Sequence, residues 1–197
     1  MTDVTNILYW ISTGLMIPVI ALLLIAFLRS LVLLGGFFSL YISRLKYEKA
    51  LTSFFQNTQK NQSTYSKEGE ALQSNNLFYT HFNQLVAQAG DELFADKVLN
   101  DFESEAEKEL GVSKTLGRMG PMLGLMGTLI PMGPALVGLA SGDIASMAQN
   151  MQVAFSSTVV GLFAGGVGYI TQLVKQRWFV ADLNNLEFIA KKLTMKQ

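Results

Sequence analysis

Three long apolar stretches constrain this chain more than any other feature of its sequence. A helix needs about 20 mostly apolar residues to cross the ~30 Å hydrocarbon core of a bilayer. The stretches run from Ile7 to Tyr41, with Arg29 inside, from Met119 to Ala140, and from Ile144 to Val174. Only 15% of the residues are charged, against ~25% in ordinary soluble domains. The sequence therefore predicts an all-α membrane protein with three transmembrane helices.

The first and third stretches exceed one crossing, because an α-helix rises ~1.5 Å per residue. We expect residues 7–28 to span the bilayer and Arg29 to lie at the interface, its aliphatic stem on apolar surface. Asp143 is predicted to cap the third helix by accepting a backbone N–H bond. The predicted segments are 1–42 for the first transmembrane helix and its inner extension, 43–117 for a cytoplasmic helical segment, 118–141 and 142–174 for the second and third transmembrane helices, and 175–197 for a cytoplasmic C-terminal helix.

The distribution of Lys and Arg predicts how the chain is oriented. Neither residue occurs before Ile7 or in the loop 141–143, whereas residues 44–118 and the tail after Val174 carry several. By the positive-inside rule, the N-terminus lies outside and the middle segment and C-terminus lie in the cytoplasm. The predicted location is a multi-pass protein of the cell (inner or plasma) membrane. Asp3 and the missing positive n-region favour an uncleaved anchor over a cleaved signal peptide.

The cytoplasmic segment begins with a polar stretch, Gln56 to Asn76, typical of a flexible linker or a polar helix hairpin. Helical periodicity then returns, with Gly90 as the expected break between two helices. The acidic run 101–109 is expected to face solvent, with a docking surface as the alternative. His81, the single histidine, is expected to be an ordinary surface or core residue. The apolar residues at helical spacing are Leu77, Phe78, Phe82, Leu85, Val86, Leu93, Phe94, Val98, Phe102 and Leu110.

A second apolar stripe follows the third span, and it predicts that this helix continues inward as an amphipathic helix. Two partners for the stripe remain open: the middle-segment helices, or the same helix of a neighbouring subunit. The stripe consists of Phe179, Leu183, Leu186, Ala190 and Leu193.

Small residues dominate the second and third spans. Glycine in a helix is costly unless it lets two backbones approach closely, which is how helices associate in lipid. The two spans together therefore predict a tight multi-helix assembly, expected to be oligomeric. The candidate packing residues are Gly120, Gly124 and Gly127 on the second span and Gly161, Gly165 and Gly168 on the third, where they form a ridge with Ser157.

Two prolines near the end of the second span, Pro131 and Pro134, each remove a backbone donor. They predict either a kink in the helix or its end before the loop. Membrane helices tolerate proline for both reasons, so both interpretations stand.

Thr128 and Thr158 are polar groups within the second and third spans. Each hydroxyl either bonds back to its own helix backbone or faces a narrow polar path. No span centre carries Asp, Glu, Lys or His, although proton conduction through lipid normally needs a titratable group. Either the chain moves no protons, or a second protein supplies the carboxylate.

At these residues the chain resembles the MotA/TolQ/ExbB proton channel family. The family's second-span signature resembles Arg-x-x-Pro-x-Leu-Gly-Leu-x-Gly-Thr, and its third-span signature resembles Ala-Leu-x-x-Thr-x-x-Gly-Leu-x-x-Ala. ExbB-like members carry a glutamate five residues before the third-span threonine, where this chain has Val153. The matching residues here are Arg118, Pro121, Leu123, Gly124, Leu125, Gly127 and Thr128, and then Ala154, Phe155, Thr158, Gly161 and Leu162, followed by Phe163-Ala164-Gly165.

The resemblance implies a homo-oligomeric ring, typically a pentamer, around helices of a single-span ExbD/TolR/MotB-like partner. A membrane aspartate of that partner takes up and releases protons, and the ring couples ion flow to mechanical work. It also implies that Thr128 and Thr158 line the path, and we include the neighbouring Ser157. Arg118 is expected at the cytoplasmic mouth.

Other function classes find less support in the sequence. A net charge of zero gives no indication of a nucleic-acid partner, and the chain has no cysteine for thiolate metal sites. The spans hold no catalytic pair, phosphate loop or metal cluster, so we predict neither an enzyme nor a cofactor. The alternative to the motor subunit is a non-conducting membrane scaffold that anchors and assembles a partner protein.

Overall fold

The computed structural model describes residues 2–58, 77–88 and 91–194, and these form five helices. In chain order they are α1 (Thr2–Gly14), α2 (Met16–Thr58), α3 (Leu77–Ala87), α4 (Glu92–Ala140) and α5 (Ile144–Thr194). Three helical stretches are long and apolar enough to cross a membrane: Tyr9–Arg44, Glu92–Ala140 and Ile144–Leu193. The prediction of an all-helical chain with three such helices is confirmed for the described residues.

The first apolar stretch is divided at Leu15, a break that the sequence analysis did not predict. Pro18 explains it, because proline has no N–H to donate to the carbonyl of Gly14 four residues earlier. The neighbouring backbone bonds persist, from Leu15 N to Ile11 O at 3.0 Å and from Val19 N to Leu15 O at 3.1 Å. The chain therefore passes through this point with one helical bond missing.

Pro121, Pro131 and Pro134 all lie inside α4, which continues to Ala140. The interpretation that the last two prolines end the helix is therefore wrong, because the missing N–H bonds do not interrupt the surrounding helical turns. A bend at these positions stays a prediction.

A tight turn joins α4 to α5 at residues 141–143. Gly142 adopts a positive φ of 76°, a conformation that costs little only for glycine. Asp143 Oδ1 then accepts the backbone N–H of Ser146 at 3.0 Å. The predicted cap of the third span is confirmed.

The described chain divides into two compact units. The first comprises Met1–Leu34 and Val112–Gln172, and the second comprises Gly35–Gly111 and Leu173–Gln197. The predicted segment borders at 42/43, 117/118 and 174/175 fall within continuous helices. The predicted linker from Gln56 begins as the last residues of α2, and its part from 59 to 76 lies outside the described residues, as does Gly90.

The second unit has an apolar core built by α3, the first half of α4 and the last part of α5. Leu186 on the C-terminal stripe is fully buried there, so the stripe packs on the middle-segment helices of its own chain. Leu93 was predicted on the apolar face but is 83% exposed, whereas the neighbouring Phe94, also predicted there, packs against the core. The buried cluster consists of Phe78, Phe82, Leu85, Ala95, Val98, Phe102, Leu186, Ile189 and Ala190.

Polar groups of the second unit follow the expectations for a solvated helical bundle. The acidic side chains between residues 101 and 109 are exposed, and Glu109 forms an ion pair with Lys175 at 2.7 Å. His81 is a buried core residue whose Nδ1 lies 2.9 Å from the carbonyl oxygen of Leu77. Its Nε2 lies 4.0 Å from Glu105.

Candidate ion path and its helix interface

The glycines of α4 and α5 meet each other directly in the first unit. A Cβ added to Gly161 would lie 2.6 Å from Gly124 Cα, and one added to Gly120 would lie 2.6 Å from Gly165 N. Real side chains do not approach a backbone this closely, so the contact requires glycine on both helices. The pair Gly120 and Gly124 on α4 therefore packs against the pair Gly161 and Gly165 on α5 within one chain.

The same interface continues toward the start of α4. A Cβ on Gly168 would lie 2.5 Å from Gly117 N, and one on Gly165 would lie 2.5 Å from the ring of Pro121. Gly117 is not among the packing residues predicted above. Its position three residues before Gly120 extends the small face of the helix, and that spacing was the available signal.

Ser157 lies inside this interface. It is buried, and a Cβ on Gly127 would lie 2.6 Å from its Oγ. Its hydroxyl donates to the carbonyl of Ala154 at 2.8 Å. Ser157 therefore occupies the space beside Gly127, and its hydroxyl proton is hydrogen-bonded within α5.

The two threonines are half-buried. Thr158 Cα lies 3.5 Å from the position of a Cβ on Gly124, and Thr128 follows Gly124 by one helical turn. Thr128 Oγ1 donates to Leu125 O at 2.7 Å, and Thr158 Oγ1 donates to Ala154 O at 3.1 Å. The structure thus has the back-bonded arrangement that was one of the two interpretations of these residues.

Back-bonding limits what these three hydroxyls can offer to another group. A hydroxyl carries one proton and two lone pairs, and here each proton is used within its own helix. The hydroxyls of Thr128 and Thr158 can therefore accept a further hydrogen bond but cannot donate one in this state. A group that supplies its own proton can bond to these hydroxyls without breaking either back-bond.

Charged residues are absent from the sequence on either side of these threonines. Residues 119–142 and 144–174 contain no Asp, Glu, Lys, Arg or His. Arg118, just before this part of α4, has an exposed side chain. Within residues 2–58, 77–88 and 91–194, no group of three acidic or histidine side chains could hold a metal ion.

Val153 lies on another face of α5, where it lines a groove together with Ile20 and Leu23 of α2. An aliphatic side chain suits these aliphatic neighbours. At this position the chain has no titratable group, in contrast to the glutamate of the pattern described above.

The second unit contains a buried ion pair that sequence reasoning missed. Arg44 donates to both carboxylate oxygens of Asp182, from Nη1 at 2.5 Å and from Nη2 at 2.6 Å. The guanidinium carbon lies 5.8 Å from the ring centroid of Trp178, and Phe37 stacks on the same indole at 5.8 Å. Because 138 residues separate Arg44 from Asp182, no local spacing could have revealed the pair.

Comparison with known families supplies an independent finding. Residues 69–185, more than half of the chain, match the profile described as the MotA/TolQ/ExbB proton channel family. The matched region contains both the Arg118–Thr128 motif and the third-span motif from Ala154. A comparison with curated proteins gave no match.

Proposed function

The chain belongs to the MotA/TolQ/ExbB proton channel family, and on that premise we propose that it is the channel subunit of a motor complex driven by the proton-motive force. Several copies form a ring, a pentamer by analogy with the family, around the transmembrane helices of a single-span ExbD/TolR/MotB-like partner. The complex couples ion flow to mechanical work in the cell membrane, in envelope energy transduction or protein transport.

The observation that carries this proposal is that the second and third spans contain no charged residue. The hydroxyls of Thr128 and Thr158, which we propose line the path, already donate their protons within their own helices. A proton relay through lipid normally requires a titratable group, and residues 119–142 and 144–174 contain none. The acid must therefore come from another polypeptide. The family relationship supports an aspartate on the partner's membrane helix as that acid.

The hydroxyls of Thr128 and Thr158 fit one protonation state of such an acid better than the other. A protonated carboxyl group has an O–H donor, whereas a carboxylate only accepts. Since both threonine protons are already used, the neutral acid can bond to this wall without breaking a back-bond, whereas a carboxylate can bond only if a hydroxyl first leaves its back-bond. A charge at membrane depth is also costly.

This difference supplies the driving force for movement. Protonation allows the partner helix to face the threonine wall, and deprotonation on the other side drives it away toward water. Repetition around the ring moves the partner relative to it by steps or rotation. Arg118 lies at the cytoplasmic mouth in this proposal, with the N-terminus outside and the C-terminus in the cytoplasm.

The glycine interface gives the wall its rigidity. Close packing of α4 and α5 through Gly124 and Gly161 holds Thr158 at a fixed place beside the contact. Ser157 lines the same region and acts mainly through packing against Gly127. Pro131 and Pro134 bend the outer part of α4 and set the width of the path at that end.

Proton uptake into vesicles tests the proposal. The chain is co-expressed with its single-span partner, and the double variant Thr128→Val with Thr158→Val is compared with wild type. We expect uptake to fall about tenfold or more, because each lost hydrogen bond is worth ~1 kcal/mol and 1.4 kcal/mol is tenfold. Co-purification of the partner checks that the complex still assembles.

Thr13→Val is the matched control. Its Oγ1 makes the same kind of back-bond, to Tyr9 O at 2.9 Å, but it belongs to α1. We expect uptake in this variant to match wild type. Normal uptake by an assembled Thr128→Val, Thr158→Val complex would count against the path assignment.

The second candidate is a non-conducting scaffold that anchors and assembles the partner. The valine at position 153 favours it, because a position that carries an acid in ExbB-like members is here without a titratable group. A wild-type complex that contains the partner but takes up no protons under an imposed gradient would establish this alternative.

A further inference from the structure

A single charged side chain interrupts an exposed apolar face of α2. Leu22, Ile25, Arg29 and Val32 follow one another at spacings of three and four, so they share one face of the helix. Ile25 and Val32, one turn before and one turn after Arg29, are 58% and 77% exposed, and Arg29 is exposed between them. The face is therefore apolar on both sides of one guanidinium group.

The contacts of α2 with α5 place Arg29 at a boundary of the membrane core. Phe27 packs against Phe163, with ring centroids 5.7 Å apart. Phe163 lies roughly 29 Å along α5 from its first residue, Ile144, and the hydrocarbon core is ~30 Å thick. The turn 141–143 joins two spans and so marks one boundary of the core. Arg29, half a turn beyond Phe27, therefore lies at the level of the phosphate groups of the opposite leaflet.

Arg29 has no acidic partner in the part of its own chain that the structure describes. There its side chain makes no hydrogen bond or ion pair, whereas Arg44 and Lys175 pair with Asp182 and Glu109. A guanidinium group is always charged and carries five N–H donors. Arg29 therefore presents unused donors to its surroundings at the level of the lipid phosphates.

A second copy of the chain cannot supply an acid to Arg29 at this depth. Copies arranged around the membrane normal hold each residue at one depth, and long stretches around all three spans lack acids. Asp143 lies at the opposite boundary, and Glu109 and Asp182 are already paired. A neighbouring copy packed over Arg29 would bury a charge without a counter-ion, which is strongly unfavourable. The stretches without Asp or Glu are 4–47, 110–142 and 144–181.

We propose that Arg29 binds the phosphate group of an anionic glycerophospholipid in the leaflet opposite the turn 141–143. The guanidinium group donates to two phosphate oxygens, and the acyl chains lie along Leu22 and Ile25 toward the membrane core. These apolar contacts favour a lipid over free phosphate, which interacts with the charge alone. The site directs this face of α2 toward the bilayer. It requires only that the chain spans a membrane and is independent of ion conduction.

Native mass spectrometry tests the site on the full-length chain, reconstituted with equal amounts of phosphatidylglycerol and phosphatidylcholine and released into mild detergent. Arg29→Leu removes the charge, and Arg29→Lys keeps the charge but loses the paired donors. Lys97→Leu is the matched control, because it removes one exposed cation from the second unit. Circular dichroism and the unfolding temperature establish that each variant is folded.

Wild type and Lys97→Leu should retain phosphatidylglycerol in preference to phosphatidylcholine. Arg29→Leu should reduce that preference about fivefold, the factor expected for one basic residue beside anionic headgroups, and Arg29→Lys should keep part of it. Equal preference in wild type and Arg29→Leu would overturn the proposal.

Two further outcomes would identify a different occupant. Displacement of the bound lipid by excess inorganic phosphate would assign Arg29 to a free anion. Unchanged lipid retention together with a changed subunit number in Arg29→Leu would assign it to a contact between chains. Either result would also overturn the proposal.

Discussion

Arg44 and Asp182 form a bidentate ion pair between α2 and α5, with N–O distances of 2.5 and 2.6 Å. Both side chains are buried, at 9% and 2% exposure. The carbonyl of Trp178 lies 3.5 Å from Arg44 Nη2, and the indole adds a cation–π contact. The two charges are compensated by geometry that a lysine in place of Arg44 does not reproduce.

Replacing one partner of this ion pair should lower the free energy of unfolding more than replacing both partners together. Arg44→Leu or Asp182→Leu leaves one buried charge without its partner, so we expect each to lower stability by ~3–5 kcal/mol. The double variant should be clearly less destabilised than the sum of the two. Thermal unfolding in detergent, followed by circular dichroism, gives the coupling energy. Additive losses would show that the pair does not act as a unit.

Gly161 should not tolerate even a methyl group. A Cβ there would lie 2.6 Å from Gly124 Cα and 2.7 Å from Gly120 O, so Gly161→Ala must push α4 and α5 apart. We expect a loss of ~1–3 kcal/mol, as for other overpacked sites. Unfolding temperature in detergent measures it.

Gly166→Ala serves as the control for this change. It lies on the same helix with nothing within 4 Å of an added Cβ. There, alanine should be neutral or slightly stabilising, since it is the better helix former. Equal effects of the two substitutions would contradict the close contact.

Leu186 and Leu93 provide a matched pair for the core of the second unit. Leu186 is fully buried in the cluster, whereas Leu93 is 83% exposed. Leu186→Ala should cost ~2–5 kcal/mol through lost burial and the cavity left behind, and Leu93→Ala should change stability by less than ~0.5 kcal/mol. Thermal unfolding of the full-length chain checks both. A large effect at Leu93 would mean that another surface covers it.

The stability of the turn before α5 should depend on both Gly142 and Asp143. Asp143→Ala removes the acceptor for Ser146 N–H and should cost ~1 kcal/mol. Gly142→Ala places a side chain at a φ of 76° and should cost ~1–2 kcal/mol. Gly14→Ala, where no positive φ is present and nothing lies within 4 Å, is the control for the second change. Hydrogen exchange at the start of α5 should rise in both turn variants and stay unchanged in Gly14→Ala.

Much of the fold followed from local features of the sequence. The three apolar stretches, the helical continuation past the third span and the Asp143 cap depend on residues within a few turns of one another. Pro18 carried an equally local signal for the break at Leu15, which the sequence analysis did not use. The prediction that Leu93 lies on the buried face was wrong, because periodicity gives the direction of an apolar face but not its width. Phe94, beside it, packs against the core.

The sequence by itself determined that this chain must place helices in a membrane, and that its second and third spans carry no acid. Apolar length and the absence of charge are properties of the chain alone, and no packing arrangement can alter them. Only the tertiary structure decided that Gly124 meets Gly161 within one chain, and that Arg44 finds Asp182 across 138 residues. It also decided that the protons of Thr128 and Thr158 are used within their own helices. These outcomes depend on which faces come together and which rotamers they permit, and close packing sets both only after the helices have assembled.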